Sequence, residues 1–160
     1  MKVAFLDRDG TLIKDKNYLS NVNEIEFFSE SFKLLKILRD KNYKLIIVTN
    51  QSGLARGLIS KSQINQINSE IEEQIKLQNL QILKTYYCPE KEPHPWRKAS
   101  SGMLLQAGVD FKINYKDSVM LGDKQSDLQS GQRIGVRSFH CENGNFKEIF
   151  DYMNVKHIAF

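Results

Sequence analysis

The sequence predicts an α/β fold with a mostly parallel sheet flanked by helices, and three observations lead there. Short apolar, β-branched-rich runs alternate along the chain with segments whose apolar residues recur at helical spacing. The runs at residues 3–6, 44–48 and 118–121 each end abruptly in polar turn chemistry. The first two are joined through a helical segment, and such a crossover is what parallel pairing requires.

The first strand is Val3-Ala4-Phe5-Leu6, and Asp7-Arg8-Asp9-Gly10 reads as the turn that leaves it. Residues 12–28 show no sustained period and read as a loop. Ser29 is a candidate cap for a helix with the apolar stripe Phe32, Leu35 and Leu38, closing near Asn42. Lys44-Leu45-Ile46-Ile47-Val48 is the second strand, ended by Thr49-Asn50-Gln51-Ser52-Gly53. Ser60 and Gln63 have capping-box spacing, and Ile64, Ile67, Ile71 and Ile75 continue as one face of a helix over residues 60–79. A third strand fits residues 80–87, and prolines 89, 93 and 95 make the following segment a loop. A helix over residues 101–108 precedes the strand at 118–121. Gly122-Asp123-Lys124-Gln125-Ser126-Asp127 then opens a helix to about residue 134, with a strand at 136–139 and a helix at 146–152.

Composition narrows the function. A chain of 160 residues is long enough for one domain, expected here over residues 1–160. The opening apolar run meets Asp7 too early for a signal peptide, and no run reaches membrane-spanning length, so a cytoplasmic protein without a membrane partner is expected. Cys88 and Cys141 are too few for a disulfide framework and are expected to be free thiols. The net charge of +4 allows an anionic small molecule or nucleic acid. Its basic residues are dispersed, which favours the small molecule.

Ligands of open parallel sheets bind outside the carboxyl ends of the strands. Asp7 and Asp9, Thr49 and Asn50, and Asp123 and Asp127 all follow predicted strands, and Arg97-Lys98 lies in a loop that could reach them. Alone, each has a bland reading: an Asx turn, a helix N-terminal acid, a surface lysine. Together they match phosphoryl transfer. Mg2+ prefers oxygen ligands, with Asp7 and Asp123 as candidates. One carboxylate can attack phosphorus while another two residues on moves the proton, and Thr49 and Lys98 would hold the phosphoryl oxygens.

With these residues in place, the chain resembles the haloacid dehalogenase superfamily of phosphatases. Its four motifs appear as Asp7-Arg8-Asp9-Gly10-Thr11, Thr49, Lys98 and Gly122-Asp123-Lys124-Gln125-Ser126-Asp127. The resemblance implies a Rossmann-like fold, with Asp7 as nucleophile and Mg2+ ligand and Asp9 as acid/base that also binds Mg2+ through its carbonyl. It makes Asp123 a further ligand and Asp127 a support behind it. Thr49-Asn50-Gln51-Ser52-Gly53-Leu54-Ala55-Arg56-Gly57 and Arg97-Lys98 are similar to the histidinol-phosphatase-like branch, and within it to the heptose-bisphosphate phosphatases. That likeness implies substrate contacts at Asp15, Lys16, Asn17, Tyr18, Thr49, Asn50, Gln51, Ser52, Arg97, Lys98 and Lys124. It also implies a sugar bisphosphate substrate, hydrolysed at the 7-phosphate of D-glycero-D-manno-heptose 1,7-bisphosphate on the way to surface polysaccharide. Histidinol phosphate and a non-catalytic phosphate-binding module are the alternatives. No cap domain is expected, because the intervals between Asp7 and Thr49 and between Thr49 and Lys98 leave no room for one, and a monomer is expected.

The pattern breaks in one loop. Where the family carries a structural zinc site before Arg-Lys, this chain reads Cys88-Pro89-Glu90 and His94-Pro95-Trp96, keeping one of four usual ligands. A structural zinc site closes with four ligands, so zinc is not expected here. Trp96 is the candidate for packing the loop in its place.

Overall fold

The computed structural model describes residues 1–155. Five strands, β1 (Val3–Leu6), β2 (Lys44–Asn50), β3 (Ile82–Cys88), β4 (Val119–Gly122) and β5 (Arg137–His140), form one sheet in the order β3-β2-β1-β4-β5, and every pair is parallel. The helices are α1 (Ser31–Asp40), α2 (Lys61–Lys76), α3 (Gly102–Asp110), α4 (Gln125–Gln132) and α5 (Lys147–Tyr152).

Side chains alternate across a strand, and the core divides accordingly. Ala4 and Leu6, Leu45 and Ile47, Val119 and Leu121 face one layer, where they meet Leu34, Leu35 and Leu38 of α1, Ile67, Ile71 and Ile75 of α2, and Ile149 and Phe150 of α5. Val3, Phe5, Ile46, Val48 and Met120 face the other layer against Met103, Leu104 and Ala107 of α3. Strands covered on both sides must be apolar on both sides, which is why β1 reads as an unbroken run. Each fully buried aliphatic side chain of this kind contributes about 1.5–3 kcal/mol of hydrophobic stabilisation.

The expected capping box is present: Ser60 Oγ accepts from Gln63 N at 3.1 Å, and Gln63 Oε1 accepts from Ser60 N at 2.9 Å. Helix α2 closes at Lys76, three residues short of the expected end, and Asn79 follows with φ +59. At α1 the expected cap is corrected. Glu30 holds that position without a side-chain cap bond, while Ser31 Oγ donates to the Leu12 carbonyl at 2.7 Å. The loop over residues 12–28 has folded back on itself, through a bridge between Ile13 and Phe27, so the serine nearest that carbonyl serves the loop instead of the helix.

Parallel strands bring their carboxyl ends to one edge. Leu6 lies between Ile47 of β2 and Leu121 of β4, and Asp7 N continues the ladder by donating to the Leu121 carbonyl at 2.9 Å. Asp7, Thr49 and Asp123 therefore emerge together. Among the described residues, the intervals between Asp7 and Thr49 and between Thr49 and Lys98 are taken up by loops, α1, α2 and β3, and no cap domain is inserted.

Candidate active site

Lys98 is the hub of the site. Its ammonium lies 2.7 Å from Asp7 Oδ1 and 2.6 Å from Asp127 Oδ1, and donates to the Val48 carbonyl at 2.8 Å. The lysine is 3% exposed, so three acceptors replace the water its three N–H groups would have had. Asn50 fixes the backbone from which it projects, accepting from Lys98 N at 3.1 Å and donating to Lys98 O at 3.0 Å.

Asp7, Asp123 and Asp127 each present a carboxylate oxygen, and these atoms lie within 4.8 Å of one another. Three carboxylates facing one ammonium leave an excess of two formal negative charges when all are ionised. The electrostatics register that imbalance. Burial, and then the Asp127 charge, push the Asp7 carboxyl well above the ordinary range despite Lys98. Burial likewise raises Asp123. Burial alone would depress Lys98, but Asp127 and Asp7 outweigh it and hold the ammonium protonated above its usual range.

The donor set fits a divalent hard cation. Asp127 has both oxygens engaged, one by Lys98 and one by Lys124 N at 3.0 Å, so it acts as a brace. Asp123 Oδ1 is buried with no hydrogen-bond partner among the described residues, an orphan that a cation would satisfy. Gly10 permits this closeness, because its φ is +84 and a Cβ there would come within 2.3 Å of Asp123 Oδ2.

Asp9 belongs to a second cluster. Gln51 Nε2 donates to Asp9 Oδ2 at 2.9 Å and to Thr49 Oγ1 at 2.8 Å, and Thr49 Oγ1 lies 3.5 Å from the same Asp9 oxygen. Gln51 is thus turned onto the carboxylate. Thr11 Oγ1 lies 3.2 Å from Asp7 Oδ2.

Several of the other expected substrate residues lie on exposed loops. Asp15, Lys16, Asn17 and Tyr18 are exposed, with φ of +55 and +66 at Asn17 and Tyr18. The Tyr18 ring lies over Gly53, where a Cβ would be 2.8 Å from it, so this loop touches the one after β2. Ser52 Oγ lies 3.4 Å from Arg56 Nε, and the Lys124 side chain is exposed. Arg97 points back along its own loop, to Glu90 O and Glu92 Oε1 at 3.2 Å each, and its buried Nε has no partner among the described residues.

In the altered loop, Trp96 Nε1 donates to the Tyr87 carbonyl at 2.9 Å and its ring meets Tyr86 edge-on, so the indole pins the loop to β3. His94 is exposed and Cys88 is buried, and among the described residues the group of potential ligands close enough to share an ion is the aspartate trio. Sequence reasoning passed over Arg8, buried beside Asp9, and Asn68, buried against Arg8. The available signal was an asparagine on the isoleucine face of α2.

A parallel sheet that delivers a buried carboxylate, a buried lysine and a paired acidic loop to one edge fits a phosphatase of the haloacid dehalogenase type, a hydrolase of phosphate esters. The chain belongs to the family described as polynucleotide kinase 3 phosphatase, whose model matches residues 2–145. It is 37% identical over 155 residues to the D-glycero-alpha-D-manno-heptose-1,7-bisphosphate 7-phosphatase of Photorhabdus laumondii, covering 91% of this chain and 85% of that one. It is 36% identical over 166 residues to the D-glycero-beta-D-manno-heptose-1,7-bisphosphate 7-phosphatase of Haemophilus influenzae, covering 95% and 90%. The crystal structure of D,D-heptose 1,7-bisphosphate phosphatase from B. bronchiseptica, complexed with magnesium and phosphate, superposes with a TM-score of 0.81 at 25% identity, covering 90% of this chain and 83% of that one.

Proposed function

We propose that this chain is a Mg2+-dependent phosphatase that removes the 7-phosphate of D-glycero-D-manno-heptose 1,7-bisphosphate through an aspartyl-phosphate. The observation that carries the reading is Asp7, a buried carboxylate gripped by Lys98 next to the unsatisfied oxygen of Asp123, in a chain whose relatives are named for this reaction.

Asp7 attacks phosphorus while Asp9 gives its proton to the departing sugar oxygen. Asp9 then takes a proton from the water that releases phosphate from Asp7. Thr49 and Lys98 hold the phosphoryl oxygens, where charge must be stabilised through both steps. Asp7, Asp123 and the Asp9 carbonyl would hold Mg2+, which would supply further neutralisation of that charge when bound. Asp127 braces Lys98. Asp15, Lys16, Asn17, Tyr18, Ser52 and Lys124 surround the sugar, Asn50 and Gln51 hold Lys98 and Asp9 behind them, and Arg97 offers a planar fork to the second phosphate. The same reading has residues 1–160 act as one domain and as a cytoplasmic monomer on a small phosphorylated sugar. No helix among the described residues is long and apolar enough to cross a membrane.

The test is phosphate release with Mg2+ from the heptose bisphosphate, histidinol phosphate and a 3′-phosphorylated oligonucleotide. The heptose compound is expected to turn over fastest, and Asp7→Asn to abolish the reaction. The net charge of +4 and the description of the matching family favour the oligonucleotide as a second reading. Preference for it, with activity falling steeply as salt rises, would replace the heptose assignment.

A further inference from the structure

Asp9 is gripped from behind by a buried arginine. Arg8 Nε donates to Asp9 Oδ2 at 2.9 Å and Nη2 to Asp9 Oδ1 at 3.1 Å, so the guanidinium engages both carboxylate oxygens. Its remaining nitrogen, Nη1, donates to Asn68 Oδ1 at 2.8 Å. Arg8 is 1% exposed and is the largest fully buried side chain described. Arginine is almost never fully buried unless paired, so its place here needs a reason. Asn68, 9% exposed, is likewise a polar residue on the face of α2 that otherwise presents Ile64, Ile67, Ile71 and Ile75 to the core. The two exceptions explain each other.

We infer that Arg8 is a positioning residue for Asp9, and that Asn68 anchors it, so that helix α2 sets the direction in which the proton-transfer carboxylate points. Two parallel N–H bonds fix the plane of the carboxylate as well as its position, which a point charge such as lysine cannot do. Gln51 holds Oδ2 from the opposite loop. A carboxylate fixed on both sides loses little orientation entropy when the substrate arrives.

This inference rests on the proposed role of Asp9. In the first half-reaction Asp7 forms a bond to phosphorus, the P–O bond to the sugar breaks, and its electron pair stays on the sugar oxygen, which takes the Asp9 proton. In the second, Asp9 takes a proton from water as the water oxygen bonds to phosphorus and the Asp7–phosphate bond breaks. A mispointed Asp9 slows the first half-reaction only when the leaving oxygen needs a proton. p-Nitrophenolate leaves without one.

The experiment compares Arg8→Lys and Asn68→Ala with the unaltered enzyme on heptose 1,7-bisphosphate and on p-nitrophenyl phosphate. With the sugar, kcat of Arg8→Lys is expected to fall by about a hundredfold, the scale of general acid catalysis, while KM stays within about twofold. With the nitrophenyl ester, the rapid burst of one equivalent of nitrophenolate is expected to survive and the later steady rate to drop. Asn68→Ala is expected to show a smaller loss with the same pattern, and a retained Mg2+-induced rise in melting temperature verifies that each variant is folded. Unchanged sugar turnover, or a burst slowed as much as the sugar reaction, overturns the inference. Asp9→Asn separates the two layers. If it abolishes sugar turnover while folded Arg8→Lys does not, the positioning role fails and the proposed function stands; if it retains turnover, the role of Asp9 itself fails.

Discussion

Replacing Lys98 by alanine tests the electrostatic balance of the site most directly. The ammonium lies 2.7 Å from Asp7 and 2.6 Å from Asp127, and is buried along with both. Removing it leaves carboxylates without their cation in a region water does not reach, and breaking a buried pair in this way costs about 3–5 kcal/mol. For a chain of this size, that is a fall of roughly 6–20 °C in melting temperature. The pH dependence gives the cause. The Lys98 pKa is raised in the folded state, so its stabilisation is fully present below the unfolded lysine value and is lost only as pH rises through the folded one. At neutral pH the whole contribution is therefore in force. Asp7, already pushed up by burial and by Asp127, rises further without Lys98 and accepts a proton more readily, so the penalty should shrink as the solution is acidified. Urea denaturation of the metal-free protein between about pH 5 and pH 8 measures it. A penalty under about 1 kcal/mol, or one equal at both ends of that range, would refute the reasoning.

Four further outcomes follow from the same structure. Asp7 and Asp123 both titrate above the ordinary carboxylate range, each chiefly through burial, so protons should compete with Mg2+. Calorimetric Mg2+ affinity should strengthen as pH rises through their folded values, and a flat profile would sink the assignment. In the metal-free protein the same two raised values favour the fold below the unfolded carboxylate pKa, and that contribution fades as pH rises through the folded values. Cys88 and Cys141 are buried, with burial raising both thiols, Cys141 to about 12; a thiol reagent at pH 8 should therefore react only on unfolding. Ser60→Ala removes the oxygen that caps α2 and should cost about 1 kcal/mol in denaturant midpoint measurements, with activity unchanged.

Much of the site was legible because its chemistry sits where apolar runs stop. A strand covered on both faces must be continuously apolar, so the first polar residues after it, Asp7, Thr49 and Asp123, stand out at the strand ends. The capping box at Ser60 was equally local. Less legible was the α1 cap, because Ser29 satisfies the local rule while Ser31 is drawn to a carbonyl nineteen residues earlier in the chain. Gln51 sat in a segment expected to meet substrate, and its partner Asp9 lies forty-two positions away.

The opening strand and its turn, taken as sequence, determined the reaction class: carboxylates two residues apart at a strand end, joined by a threonine, a lysine and a second acidic loop. Local pattern suffices there, because burial of the strand and solvation of its end are decided within a few residues. Tertiary structure decided how the charges are shared. It placed Lys98 between Asp7 and Asp127, left one oxygen of Asp123 unpaired, and turned Arg8 inward to join Asp9 to Asn68. A buried charge is tolerated only where partners from distant segments converge on it, and no window of sequence contains that convergence.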